Sequence, residues 1–277
     1  VLYEEVVVPL DGSAFAERAL VPAVSLAGRD GSPVTLVAVV RPDGDVEEHK
    51  RYLHEVANRH GRAVQDIRVI VAQDPALGIL RVAHERSGAL ICMGSHGRTG
   101  LREVLLGSVA GDVVRTATRP LLLVGRHCRE RELSFEKLLV PIDGSEPSEV
   151  IFPEAVAWVR TFGLKLWLAQ VIEGAASSVV GPDVQEDSYL RGQARDLADQ
   201  GVRAEWDVLH GADAARAIVD YASAADMSLL ALGTHGRGGW ARLAIGSTAA
   251  QIVHDSPCPV LVLGPPHLGR ESDEPAG

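Results

Sequence analysis

The stretch VVVPLDGS, Val6 to Ser13, is written a second time as LLVPIDGS, Leu138 to Ser145, 132 residues downstream. Each copy is a short aliphatic run closed by a proline and an Asp-Gly-Ser turn, which reads as a buried strand running into a turn and a serine-capped helix. Two further stretches also recur: GSHGRTGLREVLLGS (94–108) as GTHGRGGWARLAIGS (233–247), and RPLLLVG (119–125) as CPVLVLG (258–264), now at an offset of 139. A chain that repeats itself in order is built from two copies of one unit. The change of offset places about seven extra residues in the second copy, expected in EGAASSVVGPDV, Glu173 to Val184.

Within each copy, short β-branched runs alternate with stretches of helical periodicity, the pattern of β-α-β units around a parallel sheet. The runs predict strands at Glu5–Leu10, Val34–Val40, Ile67–Val71, Ala89–Met93 and Pro120–Val124. Their counterparts are Lys137–Ile142, Lys165–Ile172, Val202–Leu209, Ser228–Leu232 and Pro259–Leu263. Ser13 is placed to cap a helix reaching about Leu26, and Asp74 before Pro75 opens another. The fold class is therefore α/β, two tandem doubly wound domains over residues 1–125 and 135–264. RHCRERELS (126–134) is the linker, and the polar tail 265–277 is expected to be disordered.

Composition narrows the function. Of 277 residues, 46% are hydrophobic and only 4% aromatic, so the core is aliphatic. No apolar run approaches the roughly 20 residues of a bilayer span, and the start VLYEEVVVPLDGS lacks a signal-peptide layout, so the cytoplasm is the expected compartment. Cys92, Cys128 and Cys258 match no zinc or redox spacing and read as buried, inert thiols. A net charge of −10 opposes nucleic acid and anionic membranes as partners, while leaving room for a small phosphorylated ligand met by local donors.

The second repeat carries the chemistry. Each copy holds G-x-x-G, nine residues, then G-S: Gly94, Gly97, Gly107, Ser108, and Gly233, Gly236, Gly246, Ser247. The frame starts where a strand ends and finishes where a helix begins, a place where N–H groups lack partners, the helix dipole favours an anion and missing Cβ atoms admit a phosphate. A single frame serves turn geometry alone more often than it serves phosphate, and repetition at identical spacing strengthens the phosphate reading. Asp11 and Asp143 open at the carboxyl edge of the sheet, where doubly wound folds bind nucleotides, and a turn or capping role stands beside that one. His96 and His235 have no carboxylate or cysteine at ligand spacing and read as exposed loop side chains, with no metal site indicated. There is no P-loop motif and no Walker lysine.

Both copies resemble the universal stress protein domain in its ATP-binding subclass, on the repeated G-x-x-G, nine residues, G-S frame and on MGSHGRTGLREVLLGSVAGDVV (93–114) as a whole. The resemblance covers nearly all of residues 1–264. It implies a five-stranded parallel sheet in the order 3-2-1-4-5 per copy, the two copies packed within one chain as an intrachain pseudo-dimer through their fifth strands, with a further homodimer possible. It implies ATP, or ADP or AMP, as ligand, with Mg²⁺ on the phosphates, and a nucleotide-responsive role in stress. By position, adenine and ribose contacts fall on Pro9, Leu10, Asp11 and Val39, and on Pro141, Ile142, Asp143 and Val171. Phosphate contacts fall on Gly94, Gly97, Arg98, Gly107, Ser108 and Val109, and on Gly233, Gly236, Arg237, Gly246, Ser247 and Thr248. The second loop departs from the first in its Gly238-Gly239-Trp240 run. Hydrolysis, if any, is expected to be slow, since no base or positioned charge is apparent. The alternatives are an adenylating or slowly ATP-hydrolysing α/β enzyme, whose S-G-G-x-D-S or H-x-G-H signature is missing, and a scaffold that binds no nucleotide.

Overall fold

In the computed structural model, residues 1–86, 88–97, 106–130, 134–172, 187–234 and 245–264 are described. The first half contributes β1 (Glu5–Pro9), α1 (Ala14–Glu17), α2 (Leu20–Asp30), β2 (Val34–Val40), α3 (Val46–His60), β3 (Val64–Val71), α4 (Pro75–His84), β4 (Ala89–Gly94), α5 (Ser108–Thr116) and β5 (Leu121–Val124). The second contributes β6 (Lys137–Pro141), α6 (Glu146–Glu149), α7 (Phe152–Phe162), β7 (Lys165–Ile172), α8 (Ser188–Asp199), β8 (Ala204–His210), α9 (Ala214–Ala224), β9 (Leu229–Gly233), α10 (Ser247–Asp255) and β10 (Val260–Leu263). The strands form one ten-stranded sheet, ordered β3-β2-β1-β4-β5-β10-β9-β6-β7-β8. Each half is thus a parallel sheet in the order 3-2-1-4-5, as the resemblance implies.

The halves meet through their fifth strands. β5 and β10 run antiparallel, with Leu121, Leu122 and Leu123 opposite Val262, Leu261 and Val260, all of them essentially inaccessible to solvent. An apolar strand left at an edge exposes a row of unpaired N–H and C=O groups, and mutual pairing removes both edges at once. The outer edges, β3 and β8, carry Asp66, Arg68, Glu205 and Asp207, charges that discourage further strand addition. Side chains alternate between the faces. Val6 and Val8 enter a core covered by α2, α3, α7 and α8, and Val7 enters one covered by α4, α5, α9 and α10. Both cores run unbroken from one half into the other.

The junction is also polar and aromatic. Tyr3, buried under α7, accepts a hydrogen bond from Trp158 Nε1 at 2.6 Å and donates to Glu154, which with burial drives its pKa well above the usual phenol value. Arg29 of α2 donates to the carbonyls of Ser134, Phe135 and Phe162. The linker is bound to both sides: Arg18 donates to the carbonyls of Arg126 and Cys128, while Arg129 reaches the Pro257 carbonyl, Asp226 and Ser223.

Several expectations shift in detail. The helix after Ser13 extends to Asp30 and is interrupted at Arg18–Ala19, because Pro22 has no N–H for the Arg18 carbonyl and its ring crowds that turn. β3 starts three residues early, at Val64, the polar residues of this edge strand having concealed it. Val202 is not in β8, since its N–H closes the end of α8 on the Leu197 carbonyl. The strand partners Leu36–Ile67 and Leu168–Trp206 differ by 132 at the first member and 139 at the second, so the extra residues of the second half lie between β7 and β8. Residues 173–184 and the tail 265–277 lie outside the described residues.

Candidate functional site

β1, β2 and β4 are neighbours, so Pro9, Val39 and Gly94 stand together at the carboxyl ends of adjacent parallel strands. β1 leads outward to β2, whereas β4 lies on its other side, and between them the connections diverge to opposite faces of the sheet. That divergence opens a crevice in doubly wound folds. β6, β7 and β9 place Pro141, Val171 and Gly233 in the same way.

The Asp-Gly-Ser turns are superimposable in chemistry. Asp11 Oδ1 accepts from Ser13 N at 3.0 Å and Ser13 Oγ at 2.6 Å, and Asp143 Oδ1 accepts from Ser145 N and Oγ at the same distances. The intervening glycines adopt left-handed φ of 84° and 81°, where a side chain would be strained. One oxygen of each aspartate therefore does the turn-forming work. The other Asp11 oxygen faces the glycine frame, since a Cβ placed on Gly97 would lie 2.5 Å from Asp11 Oδ2. Leu10 and Ile142 are buried, and their N–H groups bond Val37 and Ala169 across the sheet.

The frame itself is tighter than its sequence suggests. The Gly107 N–H donates to Ser95 O at 2.8 Å and the Gly246 N–H to Thr234 O at 2.7 Å, so these two donors close the loop on itself and are not open to a ligand. A Cβ on Gly107 would come within 3.2 Å of His96 Cα, and one on Gly94 within 3.1 Å of the Phe15 ring. On Gly233 it would meet Pro147 O at 2.3 Å. Close packing is thus one demand that these glycines meet.

The donors facing the crevice come one residue later. α5 begins at exposed Ser108 and α10 at exposed Ser247, each preceded by an extended glycine that has no side chain to cap the helix. The first intrahelical bonds are made by Gly111 and Ala250, which leaves the N–H groups of Ser108, Val109 and Ala110, and of Ser247, Thr248 and Ala249, outside the helical ladder. Arg98, Gly236, Arg237 and the second loop around Trp240 lie outside the described residues.

His96 corrects the sequence reading. It is 6% exposed, its Nδ1 lies 2.9 Å from Ser95 Oγ, and its ring stands edge-on to Phe15 and to His254 of the other half. A position between two glycines reads as a solvent-facing loop, but the second half packs over it. The three cysteines are free and buried, and burial pushes the Cys128 thiol up to about 11.

This arrangement of two parallel half-sheets joined in one, with Asp-Gly-Ser turns and glycine frames, defines a class of protein, and comparison with known sequences identifies it. The profile of the Universal stress protein family matches residues 2–125 and again 134–264, and the chain belongs to that family. It is 27% identical over 290 residues to a universal stress protein of Mycolicibacterium smegmatis, covering 94% of this chain and 97% of that protein. Universal stress protein YxiE of Bacillus subtilis is 29% identical and matches 44% of this chain over 99% of its own length. Among solved structures, a universal stress protein from Archaeoglobus fulgidus superposes with a TM-score of 0.70 at 20% identity, over 95% of this chain and 99% of that one. No helix among the described residues is long and apolar enough to cross a membrane.

Proposed function

We propose that the chain binds an adenine nucleotide, ATP first among them, in each half, and acts in the cytoplasm as a nucleotide-responsive stress regulator. The halves, residues 1–125 and 135–264 joined through 126–134, are each a domain with its own site. The observation that carries this reading is the duplicated pairing of a strand-end aspartate with an uncapped helix N-terminus across the same crevice. Donors left outside a helix and the positive end of its dipole together suit a phosphate chain. Pro9, Leu10, Asp11 and Val39, with Pro141, Ile142, Asp143 and Val171, would flank the nucleoside. Ser108, Val109, Ser247 and Thr248 would donate to phosphate, with Arg98 and Arg237 adding charge.

Mg²⁺ takes oxygen ligands and keeps most of its water, so it would be held by the phosphates, with Asp11 or Asp143 as the carboxylate that would accept from its water. Hydrolysis should be slow. Asp11 and Asp143 spend one oxygen each on their turns, and among the described residues no other group is placed as a base, so turnover should fall well below the ~1–100 s⁻¹ of kinases. A nucleotide-free scaffold is the second reading, favoured by the finding that Gly94, Gly107 and Gly233 are all consumed by packing.

The experiment is to denature the purified protein, resolve the released nucleotide by anion exchange, and titrate the stripped protein with Mg-ATP in a calorimeter. Two sites per chain are expected. One site would implicate the second loop, and none would establish the scaffold.

A further inference from the structure

We propose that His127, His254 and Asp255 form a binding site for a divalent ion of the zinc class at the junction of the two halves. Ligand atoms from the three side chains all lie within 4.8 Å of one another. Asp255 Oδ1 is 2.7 Å from His254 Nδ1 and 3.3 Å from His127 Nδ1. Zinc bonds of about 2.0–2.2 Å place tetrahedral ligands roughly 3.3 Å apart, so the cluster is already near the spacing an ion would impose. Two imidazoles and one carboxylate with an open fourth position is a donor set that suits zinc and is poor for Mg²⁺, which prefers oxygen alone.

The backbone explains how the residues meet. His254 and Asp255 end α10, and His127 follows β5 across the junction. Gly125 makes the approach possible: a Cβ there would lie 1.9 Å from the Val253 carbonyl oxygen, so only a glycine lets the linker press against the end of that helix. The carboxyl end of a helix carries partial negative charge and favours a cation.

Nor is the cluster a by-product of the repeat. By the 139-residue offset, His254 and Asp255 correspond to Arg115 and Thr116, which supply no equivalent pair. An ion bound here would replace the contacts between the rings and the carboxylate, and it would tie the segment after β5 to the last helix of the second half.

The test uses the full chain, stripped of nucleotide and dialysed against chelator, titrated with Zn²⁺ by calorimetry and with Co²⁺ by visible absorption. One ion per chain is expected, with the intense visible bands of a tetrahedral cobalt site and with no competition from excess Mg²⁺. His127→Ala and Asp255→Asn should each weaken binding at least tenfold and abolish the rise in melting temperature that Zn²⁺ gives the parent protein. His127 is 63% exposed, so its variant should fold normally, as circular dichroism would verify. Absence of binding by the parent protein, or parental affinity in either variant, would overturn the proposal.

Discussion

Replacing Ser108 and Ser247 by aspartate should move stability and nucleotide affinity in opposite directions. Both serines are exposed and occupy the first turn of α5 and α10, where the helix N-terminus favours negative charge. Each carboxylate should therefore stabilise the chain by about 0.3–1 kcal/mol at low ionic strength. A phosphate accepting from the N–H groups of the same turn would sit within about one helical pitch, ~5 Å, of the new carboxylate. At that distance a pair of like unit charges repels by about 0.8–3 kcal/mol for effective dielectric constants between 80 and 20. The affinity for Mg-ATP should drop roughly 4- to 200-fold per site, with the melting temperature unchanged or raised. The uncharged Ser108→Asn and Ser247→Asn should leave both close to parental. Calorimetry and thermal melts on the single and double variants read the two quantities separately. If the doubly charged variant bound ATP as the parent does, the helix N-termini would not be the phosphate donors, and the proposed site would fail at its central point.

Three further outcomes follow from the packing. Gly125→Ala should cost about 1–3 kcal/mol in denaturant unfolding, because its Cβ meets a backbone carbonyl that has no flexible end to give way. Gly192→Ala, inside α8 with nothing within 4 Å of the added Cβ, should instead stabilise the protein by about 1 kcal/mol. Burial would raise the Asp30 pKa, but hydrogen bonds from Ser32 and from the Leu2 and Tyr3 N–H groups outweigh it and hold the carboxyl below its ordinary value. A depressed carboxylate pKa stabilises the folded state above the unfolded value of about 4 and loses that contribution as pH falls through the folded value. Asp30→Asn should accordingly flatten the acid limb of the unfolding curve below about pH 4.

The regular parts of the molecule were legible in the sequence because one signal, apolar periodicity, specifies them. β2 and β7 fall at Val34–Val40 and Lys165–Ile172 as the runs predict, and β2, buried on both faces, reads as a nearly continuous β-branched segment. β3 was blurred where its edge turns polar at Gln65 and Asp66. Pairings between the halves were legible only in kind. Two apolar fifth strands imply an edge to be covered, but nothing in PLLLVG or PVLVLG states that His96 will be roofed by His254, or that His127 will meet a residue 127 positions away. Those contacts depend on the angle at which two units dock, and such geometry leaves no periodic trace. The glycine frame was the most instructive case. Its residues read as space for a ligand, and the structure adds a packing demand the sequence did not state, a Cβ on Gly107 lying 3.2 Å from the His96 Cα.

The antiparallel pairing of β5 with β10 has a further consequence. In a pair of separate chains, such a joint forms only at concentrations above its dissociation constant, and every change in it is made twice, once on each side of the twofold axis. A tether of the length of residues 126–134 holds the two strands at an effective concentration of about a millimolar. Association then persists through substitutions that would release free subunits, and each side of the joint can change without its mirror image. One half can carry a histidine where the other carries an arginine, as His254 and Arg115 do. Covalent fusion has made the axis of the pseudo-dimer a place where a function belonging to neither ancestral copy can be assembled.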